Sequence, residues 1–308
     1  MRKADDMAGI SIIIPLYNKK ETIKSTIETL ISLPDKCNKE IIIIDDGSTD
    51  NSVEIAEKFS PEVSISIQKN KGPSAARNHG ARLATHPYLV FLDADDKLKP
   101  GCLDDHLFMF ENFRSVGISF VSFQINDHEE ETCRKVDLTS RLKGDGKYKI
   151  FSEFDFNFIS FIHSGCFCVD KSLFQSIGGY DESLKLLEIT DFLTRIFIES
   201  PVSVISSHIL SEKNEATSES QFQRAAKDSE QIFRFGNKII SLMHHVSLEQ
   251  KWLLSKELIF TLNKLWMARE YSRVRKILLK YRPLRSKYGL AKPSVKIVVL
   301  SHLLSPFR

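Results

Sequence analysis

Apolar and polar positions alternate in blocks through the first hundred residues. Four short, nearly continuous apolar runs predict buried strands at 10–14, 41–44, 63–67 and 88–92. Three intervening segments place apolar residues at helical spacing and predict helices at 21–31, 53–59 and 74–84. Strands that are apolar throughout and alternate with helices are typical of a parallel sheet covered on both faces. The sequence therefore predicts an α/β fold, with a Rossmann-like, mixed and mainly parallel sheet flanked by helices.

Polar loops follow three of the predicted strands, at 15–18, 45–50 and 93–96. Because the carboxyl ends of parallel strands meet at one edge of a sheet, we expect these loops to converge on a ligand site. The third loop carries Asp93, Asp95 and Asp96, whose carboxylates repel one another unless a cation or a proton intervenes. Mg²⁺ or Mn²⁺ is the expected partner, since hard divalent ions prefer oxygen ligands. A solvated acidic turn is the alternative, and the convergence of the loops favours the metal.

The second half of the chain has a less regular pattern. It predicts strands at 118–123, 163–169 and 201–205, a helix at 191–198, an exposed excursion or hairpin within 126–150 and a polar loop at 212–220. A helical pattern begins near residue 222. We therefore predict one domain at 1–210, with halves at about 9–101 and 102–210, and a basic, mainly helical extension at 211–308.

Charge is distributed unevenly, although the formal net charge is only +3. From residue 251 onward there are 14 Lys and Arg residues against two Glu residues. The apolar positions of this tail follow a helical stripe that we expect Pro283 and Pro293 to interrupt. Packing against the rest of the protein is one interpretation of the tail, and peripheral contact with an anionic membrane is the other. Nucleic acid is not an expected partner, because no recognition motif accompanies the charge.

The five cysteines include no C-x-x-C pair, so a zinc site or a disulfide framework is not expected. Cys166 and Cys168 lie two apart in an apolar segment and are predicted to be buried free thiols. The chain has no secretory signal and no run of 18 apolar residues, and its apolar segment at 296–304 is too short to span a bilayer. We expect a cytoplasmic protein, with the inner face of the cell membrane as its place of peripheral contact.

Four ordered motifs resemble those of the family 2 glycosyltransferases, which are inverting enzymes with a type A nucleotide-diphospho-sugar transferase fold. They are Ser-Ile-Ile-Ile-Pro-Leu-Tyr-Asn at 11–18, Ile-Ile-Asp-Asp-Gly-Ser-Thr-Asp at 43–50, Gly-Pro-Ser-Ala-Ala-Arg-Asn-His-Gly at 72–80 and Phe-Leu-Asp-Ala-Asp-Asp at 91–96. The resemblance covers about 9–207 and is densest before 101. It implies transfer of a sugar from a UDP-linked donor to a hydroxyl of a glycan or lipid-linked glycan, in synthesis of a cell-envelope polysaccharide. The half at 9–101 would bind the donor and the half at 102–210 the acceptor.

The resemblance also implies roles for residues of the first three motifs. Pro15, Tyr17 and Asn18 would belong to the donor site. Asp46 would accept a hydrogen bond from the imide N–H of a uracil-like base, although an acid at a strand end can also cap a helix. Arg77 would offer its several donors to ribose or phosphate, with a surface arginine as the alternative.

The fourth motif is the predicted metal site. By resemblance, Asp93 and Asp95 hold ribose and metal, and Asp95 is the preferred metal ligand. Asp96 supports the turn. The Mn²⁺ or Mg²⁺ ion would bridge the diphosphate and stabilise the charge that develops on the departing nucleoside diphosphate.

An inverting transfer needs a general base for the acceptor hydroxyl, and the sequence departs from the family at this position. The family places an Asp of a Glu-Asp pair between a Gly-Gly-aromatic-Asp-Glu turn, here at 178–182, and a helix that starts here with Asp191. Alignment on that helix puts Glu188 at the Glu position and Ile189 where the base should stand. Three explanations follow: Glu188 has taken over, Asp191 serves after a local shift, or the protein binds sugar nucleotide without efficient transfer. We favour Glu188.

His163 lies in a segment that lines the acceptor side in the family, and a hydrogen-bonded core histidine is the alternative. Three other functions compete with transfer. A non-catalytic sugar-nucleotide-binding protein would be consistent with Ile189. A receiver-type signalling domain would explain Asp45 and Asp46 but gives no role to the motif at 93–96. A nucleotidyltransferase should have a Gly-rich phosphate loop after the first strand, where this chain has Pro15-Leu16-Tyr17-Asn18.

Overall fold

The computed structural model describes residues 8–127, 132–142, 146–151, 162–200, 202–215, 228–290 and 293. The apolar segment at 296–304 and residues 216–220 of the predicted polar loop lie outside them. The chain forms two compact units, which are described separately. The first comprises residues 1–153, 161–183 and 192–218, and the second comprises 154–160, 184–191 and 219–308.

One mixed sheet forms the centre of the first unit. Its strands among the described residues are β1 Ile10–Leu16, β2 Lys39–Asp45, β3 Ser64–Ile67, β4 Tyr88–Phe91, β5 Lys97–Leu98, β6 Ile118–Asp127, β7 Thr132–Val136, β8 Tyr148–Phe151, β9 Phe167–Asp170 and β10 Ser203–Glu215. Their order is β3-β2-β1-β4-β9-β6-β10-β5, while β7 pairs with β6 and β8 with β10. The first four strands of this order are parallel, β9 is antiparallel to both neighbours, and β6 and β10 are parallel. The predicted α/β fold, mixed and mainly parallel, is confirmed.

The register of β1 brings the predicted loops together. Leu16, the last residue of β1, pairs with Asp45, the last residue of β2. The N–H of Asp46 then donates to the carbonyl of Leu16 at 2.8 Å. On the other side of β1, the N–H of Leu92 donates to the carbonyl of Ile13 at 2.9 Å. Strands β1, β2 and β4 therefore end at the same sheet edge, as their alternation with helices predicted.

Helices connect and cover these strands. The helices of the first unit are α1 Ile23–Ser32, α2 Ser52–Glu57, α3 Pro73–Leu83, α4 Cys102–Asn112 and α5 Lys171–Ser176, with the larger part of α6, Glu188–Glu199. Helix α3 packs closely on β1, because a Cβ built on Gly80 would lie only 2.4 Å from a methyl carbon of Ile13. Glycine is therefore required at this position for the helix to lie where it does.

Two expectations for the second half of the sheet have different outcomes. Strands β6 and β7 form the predicted hairpin. The polar loop predicted from residue 212 is wrong at its start, since β10 continues to Glu215. Polar side chains stabilise this end of the strand: Gln124 donates to Glu212 at 2.9 Å and Asn126 to Asn214 at 3.2 Å. A strand held by a polar ladder lacks the apolar pattern on which the prediction depended.

Cys166 and Cys168 are free and fully buried, as predicted. Burial raises the pKa of the Cys166 thiol to about 12, so this thiol stays protonated. Both cysteines therefore act as small core side chains.

The second unit contains three further helices, α7 Ser229–Met243, α8 Leu248–Met267 and α9 Tyr271–Tyr288. Helix α8 begins with a capping box in which Ser247 and Gln250 satisfy each other's backbone N–H groups. The predicted apolar stripe is buried, with Leu258, Leu262 and Ile277 fully inaccessible. Among the described residues, no helix has both the length and the apolar composition needed to cross a membrane.

Pro283 does not interrupt the helical pattern, contrary to expectation, and lies inside α9. Proline cannot donate to the carbonyl four residues earlier, which usually breaks a helix. Here Tyr281 and Leu284 are buried on either side, while Pro283 is exposed. Packing on both sides keeps the helix continuous, and water can solvate the carbonyl that lacks a donor.

Candidate active site

Each carboxylate of the acidic turn has a basic partner from elsewhere in the chain. Asp93 lies 2.7 Å from Arg77, and Asp95 forms a short ion pair with Lys19. Asp96 lies 3.4 Å from His163 Nδ1. The cations of Arg77 and Lys19 therefore offset the charges of Asp93 and Asp95 within the protein itself.

Arg77 is buried beneath the turn, with 2% of its surface exposed. Its Nη2 donates to Asp93 Oδ1 and, at 3.2 Å, to the hydroxyl of Ser164, and its guanidinium lies 5.4 Å from the ring centre of Tyr180. Burial by itself raises the pKa of Asp93, but the charge and hydrogen bond of Arg77 outweigh burial and hold that pKa below its ordinary value. Asp93 is therefore an ionised carboxylate with 26% of its side chain exposed.

Asp96, for which a supporting role in the turn is predicted, is hydrogen-bonded to β10. It is 2% exposed, and its carboxylate accepts the N–H of Asn214 at 2.9 Å. Burial raises the pKa of Asp96 despite the neighbouring His163. The imidazole of His163 is 6% exposed and packs edge-on against the ring of Phe123, with 4.6 Å between ring centres. Its Nε2 lies 3.4 Å from the hydroxyl of Ser211, so the imidazole is a buried core side chain, and its contact with an acceptor stays a prediction.

The first loop carries the predicted residues Pro15, Tyr17 and Asn18. Pro15 still pairs with Ile44 in the sheet, whereas Tyr17 is 47% exposed. Asn18 adopts a left-handed backbone with φ of 49°, and its side-chain oxygen accepts the N–H of Thr49 at 2.8 Å. The loops after β1 and β2 are therefore tied to each other, with the tyrosine ring left accessible.

Asp46 is buried at the end of β2 and holds the entrance to α3. Its carboxylate accepts three hydrogen bonds of 2.8 Å, from the amide of Gln68 and from the N–H groups of Lys71 and Gly72. An ionised carboxylate has about four acceptor positions, so roughly one remains for a ligand donor. Gln68 is oriented in turn by His79 at 3.0 Å. Asp46 thus fixes the start of the helix that carries Arg77.

The candidate bases belong to the second unit. Glu188 is the first residue of α6 and is 3% exposed, and Ile189 follows it. Asp191, in the same first turn, is fully buried and lies 2.7 Å from Lys238 of α7. Sequence reasoning missed Lys238, Gln68 and Lys19. Only Lys19 had a signal, since it directly follows the first motif.

The acidic turn fits a hard divalent cation in its chemistry. Asp93 and Asp95 are partly exposed carboxylates with side-chain exposures of 26% and 19%. Over the ranges that the structure describes, no group of three or more His, Cys, Asp and Glu side chains is arranged to hold a metal. Two carboxylates suffice where substrate phosphates and water complete the coordination, as is common for Mg²⁺.

Comparison with known proteins identifies the family. The family model described as glycosyl transferase family 2 matches residues 11–178. YibD of Escherichia coli K12, an uncharacterised glycosyltransferase, is 48% identical over 94 residues, which cover 30% of this chain and 27% of that protein. Poly-β-1,6-N-acetyl-D-glucosamine synthase of Staphylococcus aureus strain COL is 35% identical over 113 residues, which cover 36% of this chain and 26% of that one. The chain thus matches only about a quarter of the length of these relatives.

Solved structures show the same fold. Staphylococcus aureus TarS 1–349 in complex with UDP-GlcNAc superposes with a TM-score of 0.63 and 18% identity, covering 84% of this chain and 73% of that chain. The complex of TarS 1–349 with UDP gives a TM-score of 0.61. Because the family model covers more than half of the sequence and the sheet has the arrangement of these structures, the chain belongs to glycosyl transferase family 2.

Proposed function

We propose that this chain is an inverting glycosyltransferase that moves a sugar from a UDP-linked donor to a hydroxyl group of a glycan or a lipid-linked glycan. The observation that carries the proposal is the buried Arg77 paired with the partly exposed Asp93 at the end of β4. Asp46 directly follows β2 and Asp93 lies two residues after β4, so the two acids follow the strands that flank β1. The UDP-GlcNAc bound by TarS and the N-acetylglucosamine polymer named for the staphylococcal synthase favour a UDP-linked donor.

Donor binding is assigned to the edge formed by β1, β2 and β4. Asp46 keeps about one acceptor position, which suits the single imide N–H of uracil. Asp93 and Arg77 are assigned to ribose and phosphate. Pro15, Tyr17 and Asn18 form the adjoining wall, where the exposed ring of Tyr17 offers a surface for the base.

Asp95 and Asp93 would hold Mn²⁺ or Mg²⁺. When bound, this cation supplies positive charge to the leaving diphosphate, which lowers the barrier to departure. The chain's own contribution is to keep Asp93 ionised and the turn in place. Arg77 keeps Asp93 ionised, and the hydrogen bond from Thr26 to the carbonyl of Ala94, 2.9 Å long, fixes the turn.

Glu188 is the proposed general base. It is the first residue of α6, where an acidic side chain interacts favourably with the helix dipole. Asp191 is the second candidate, and its ion pair with Lys238 engages it in the second unit. Ile189 motivates the remaining alternative, a sugar-nucleotide-binding protein that transfers little or nothing.

The experiment is a thermal-shift panel of nucleotide sugars, each with and without Mn²⁺, followed by an assay of UDP release. We expect one UDP-linked donor to stabilise the protein more with Mn²⁺ than without it, and to release UDP when an acceptor glycan is present. Stabilisation without release across a broad acceptor set would favour the binding-protein alternative. The absence of stabilisation by every donor would contradict the proposal.

We further propose that helix α9 contacts an anionic membrane surface. The helix carries seven Lys and Arg residues and no acidic residue. Its exposed positions include Lys276, Lys280 and Lys287, and Leu279 lies among them with 54% of its surface exposed. Basic residues around an exposed apolar side chain suit a charged lipid surface better than nucleic acid.

Sedimentation with vesicles of anionic and neutral lipid tests this contact. Each lysine near such a surface contributes about 1 kcal/mol, so replacing all three by alanine should weaken anionic-vesicle binding by about two orders of magnitude. The matched control replaces three exposed lysines of the first unit, Lys24, Lys58 and Lys69. If the α9 variant and the control variant lose anionic-vesicle binding equally, a specific role for α9 is contradicted. Binding of the parent to neutral vesicles as strongly as to anionic vesicles would contradict it as well.

A further inference from the structure

The ion pair between Lys19 and Asp95 joins the first loop to the acidic turn. Lys19 Nζ contacts Oδ2 of Asp95, the residue assigned as the preferred metal ligand. The two residues are separated by 76 positions in sequence, so the fold and not local geometry creates the contact. The ammonium group of Lys19 thus contacts the same carboxylate that is proposed to bind the divalent cation.

The backbone of Lys19 is anchored at both of its polar groups. Its N–H donates to the hydroxyl of Ser52 at 2.8 Å, and its carbonyl accepts the N–H groups of Thr22 and Ile23 at 3.1 and 3.0 Å. The side chain beyond this anchor is 39% exposed. Lys19 can therefore leave Asp95 by rotation of its flexible stem, without movement of the loop.

Arg77 and Lys19 differ in how easily each can leave its aspartate. The guanidinium of Arg77 is 2% exposed and shared with Ser164, so its pair with Asp93 is part of the core. The pair of Lys19 with Asp95 is partly open to solvent, and an ion pair in contact with water contributes little to stability and is easily exchanged. Asp95 is thus the member of the turn whose charge partner can be replaced.

We propose that Lys19 is an exchangeable counter-ion of Asp95, which neutralises the acidic turn in the metal-free protein and must be displaced when a divalent cation binds. The inference rests on the proposed function, because it assumes that Asp95 takes that cation. Lys19 acts through Asp95 and is a positioning residue. Its presence sets the concentration of cation at which the site fills.

Mn²⁺ binding by the full chain, measured as the loss of the free-ion electron paramagnetic resonance signal with saturating UDP, tests this role. Lys19→Met and Lys19→Gln should bind Mn²⁺ about tenfold more tightly than the parent, because a competing positive charge is removed. Lys19→Arg keeps the charge and should bind no more tightly than the parent. Lys20→Met is the matched control, since Lys20 is exposed and pairs with Glu21 at 3.8 Å.

Acylation of lysine amines, quantified by mass spectrometry, is a second measurement that does not depend on turnover. Mn²⁺ should increase the labelling of Lys19 and leave that of Lys20 unchanged. Unchanged Mn²⁺ affinity in Lys19→Met and Lys19→Gln would overturn the inference. UDP titrations of the parent separate failure of the Lys19 role from failure of the proposed function. If the parent binds UDP, only the role of Lys19 fails. If the parent binds neither UDP nor Mn²⁺, the proposed function is overturned as well.

Discussion

Arg77 Nη2 lies 2.7 Å from Asp93 Oδ1, and the arginine is buried while the aspartate is partly open to solvent. The pair joins helix α3 to the end of β4. Its charges are fixed before any ligand arrives, which reduces the cost of ordering the site. One oxygen of Asp93 is engaged by the arginine, and part of the side chain stays open to solvent.

Arg77→Lys should weaken UDP binding by about tenfold or more. A lysine keeps the charge but loses the rigid planar guanidinium that holds Nη2 against both Asp93 and Ser164. Calorimetric titration with UDP measures the change. Arg82→Lys, an exposed position on the same helix, is the control and should bind UDP like the parent. Equal affinities for all three proteins would contradict the assignment of Arg77 to the donor.

Asp46→Asn should reduce the preference for uracil over cytosine. The N3 atom of uracil carries a hydrogen that a carboxylate can accept, and a charge-assisted hydrogen bond contributes about 1.5–3 kcal/mol, or about ten- to a hundredfold in affinity. UDP binding should therefore weaken more than CDP binding. A purely structural defect, caused by loss of the contacts to Lys71 and Gly72, would weaken both nucleotides equally and contradict the base contact. Glu54→Gln, at an exposed position of α2, controls for loss of charge.

Glu188→Gln should lower kcat by about a hundredfold or more and leave the affinity for UDP unchanged, because a general base acts on the acceptor and not on the donor. Asp191→Asn tests the other candidate, and exposed Glu199→Gln on the same helix serves as the control. Thermal unfolding of each variant separates chemistry from folding, since Asp191 is paired with Lys238. Full transfer by Glu188→Gln together with its loss in Asp191→Asn would reverse the assignment.

Glu40 of β2 gives a prediction for stability against pH. Its carboxylate accepts hydrogen bonds from the Ser11 hydroxyl, from Thr85 and from the N–H of His86. Burial raises the pKa of Glu40, but these hydrogen bonds outweigh it and hold the pKa below its ordinary value. A lowered pKa stabilises the folded state above the unfolded pKa, and this contribution is lost as pH falls through the folded pKa.

Glu40→Gln should therefore reduce the free energy of unfolding by about 1 kcal/mol at pH 7, allowing for solvent screening of a partly exposed group. The deficit should shrink as pH is lowered below about 4, where the parent carboxyl takes up its proton. Urea unfolding of both proteins at several pH values measures it. Exposed Glu28→Gln should differ little from the parent at any pH. A deficit that stays constant down to pH 3 would contradict the linkage.

The sequence allowed prediction of those site residues that local pattern places at strand ends. Asp46, Asp93 and Asp95 each follow an apolar strand, so the rule for parallel sheets places them at one edge. Arg77 lies within α3, and its candidacy came from the motif at 72–80. Their partners were not predictable in the same way. Lys19, Gln68 and Lys238 meet their acids through contacts between residues distant in sequence, which no spacing rule reveals.

Errors in the predicted fold have the same physical origin. The end of β10 is held by Gln124, Asn126 and the carboxylate of Asp96, which take the place of apolar packing. Pro283 lies within α9 because buried neighbours outweigh its poor helix propensity. In both cases tertiary contacts outweighed a local preference.

Calorimetric titration of the parent chain with UDP, with Mn²⁺ and with a chelator, tests the central claim most directly. We predict that UDP binds with Mn²⁺ present, that chelation weakens binding by about tenfold or more, and that Asp95→Asn binds weakly with or without Mn²⁺. UDP binding that is unaffected by both Mn²⁺ and Asp95→Asn, or no UDP binding at all, would contradict a donor site at the acidic turn.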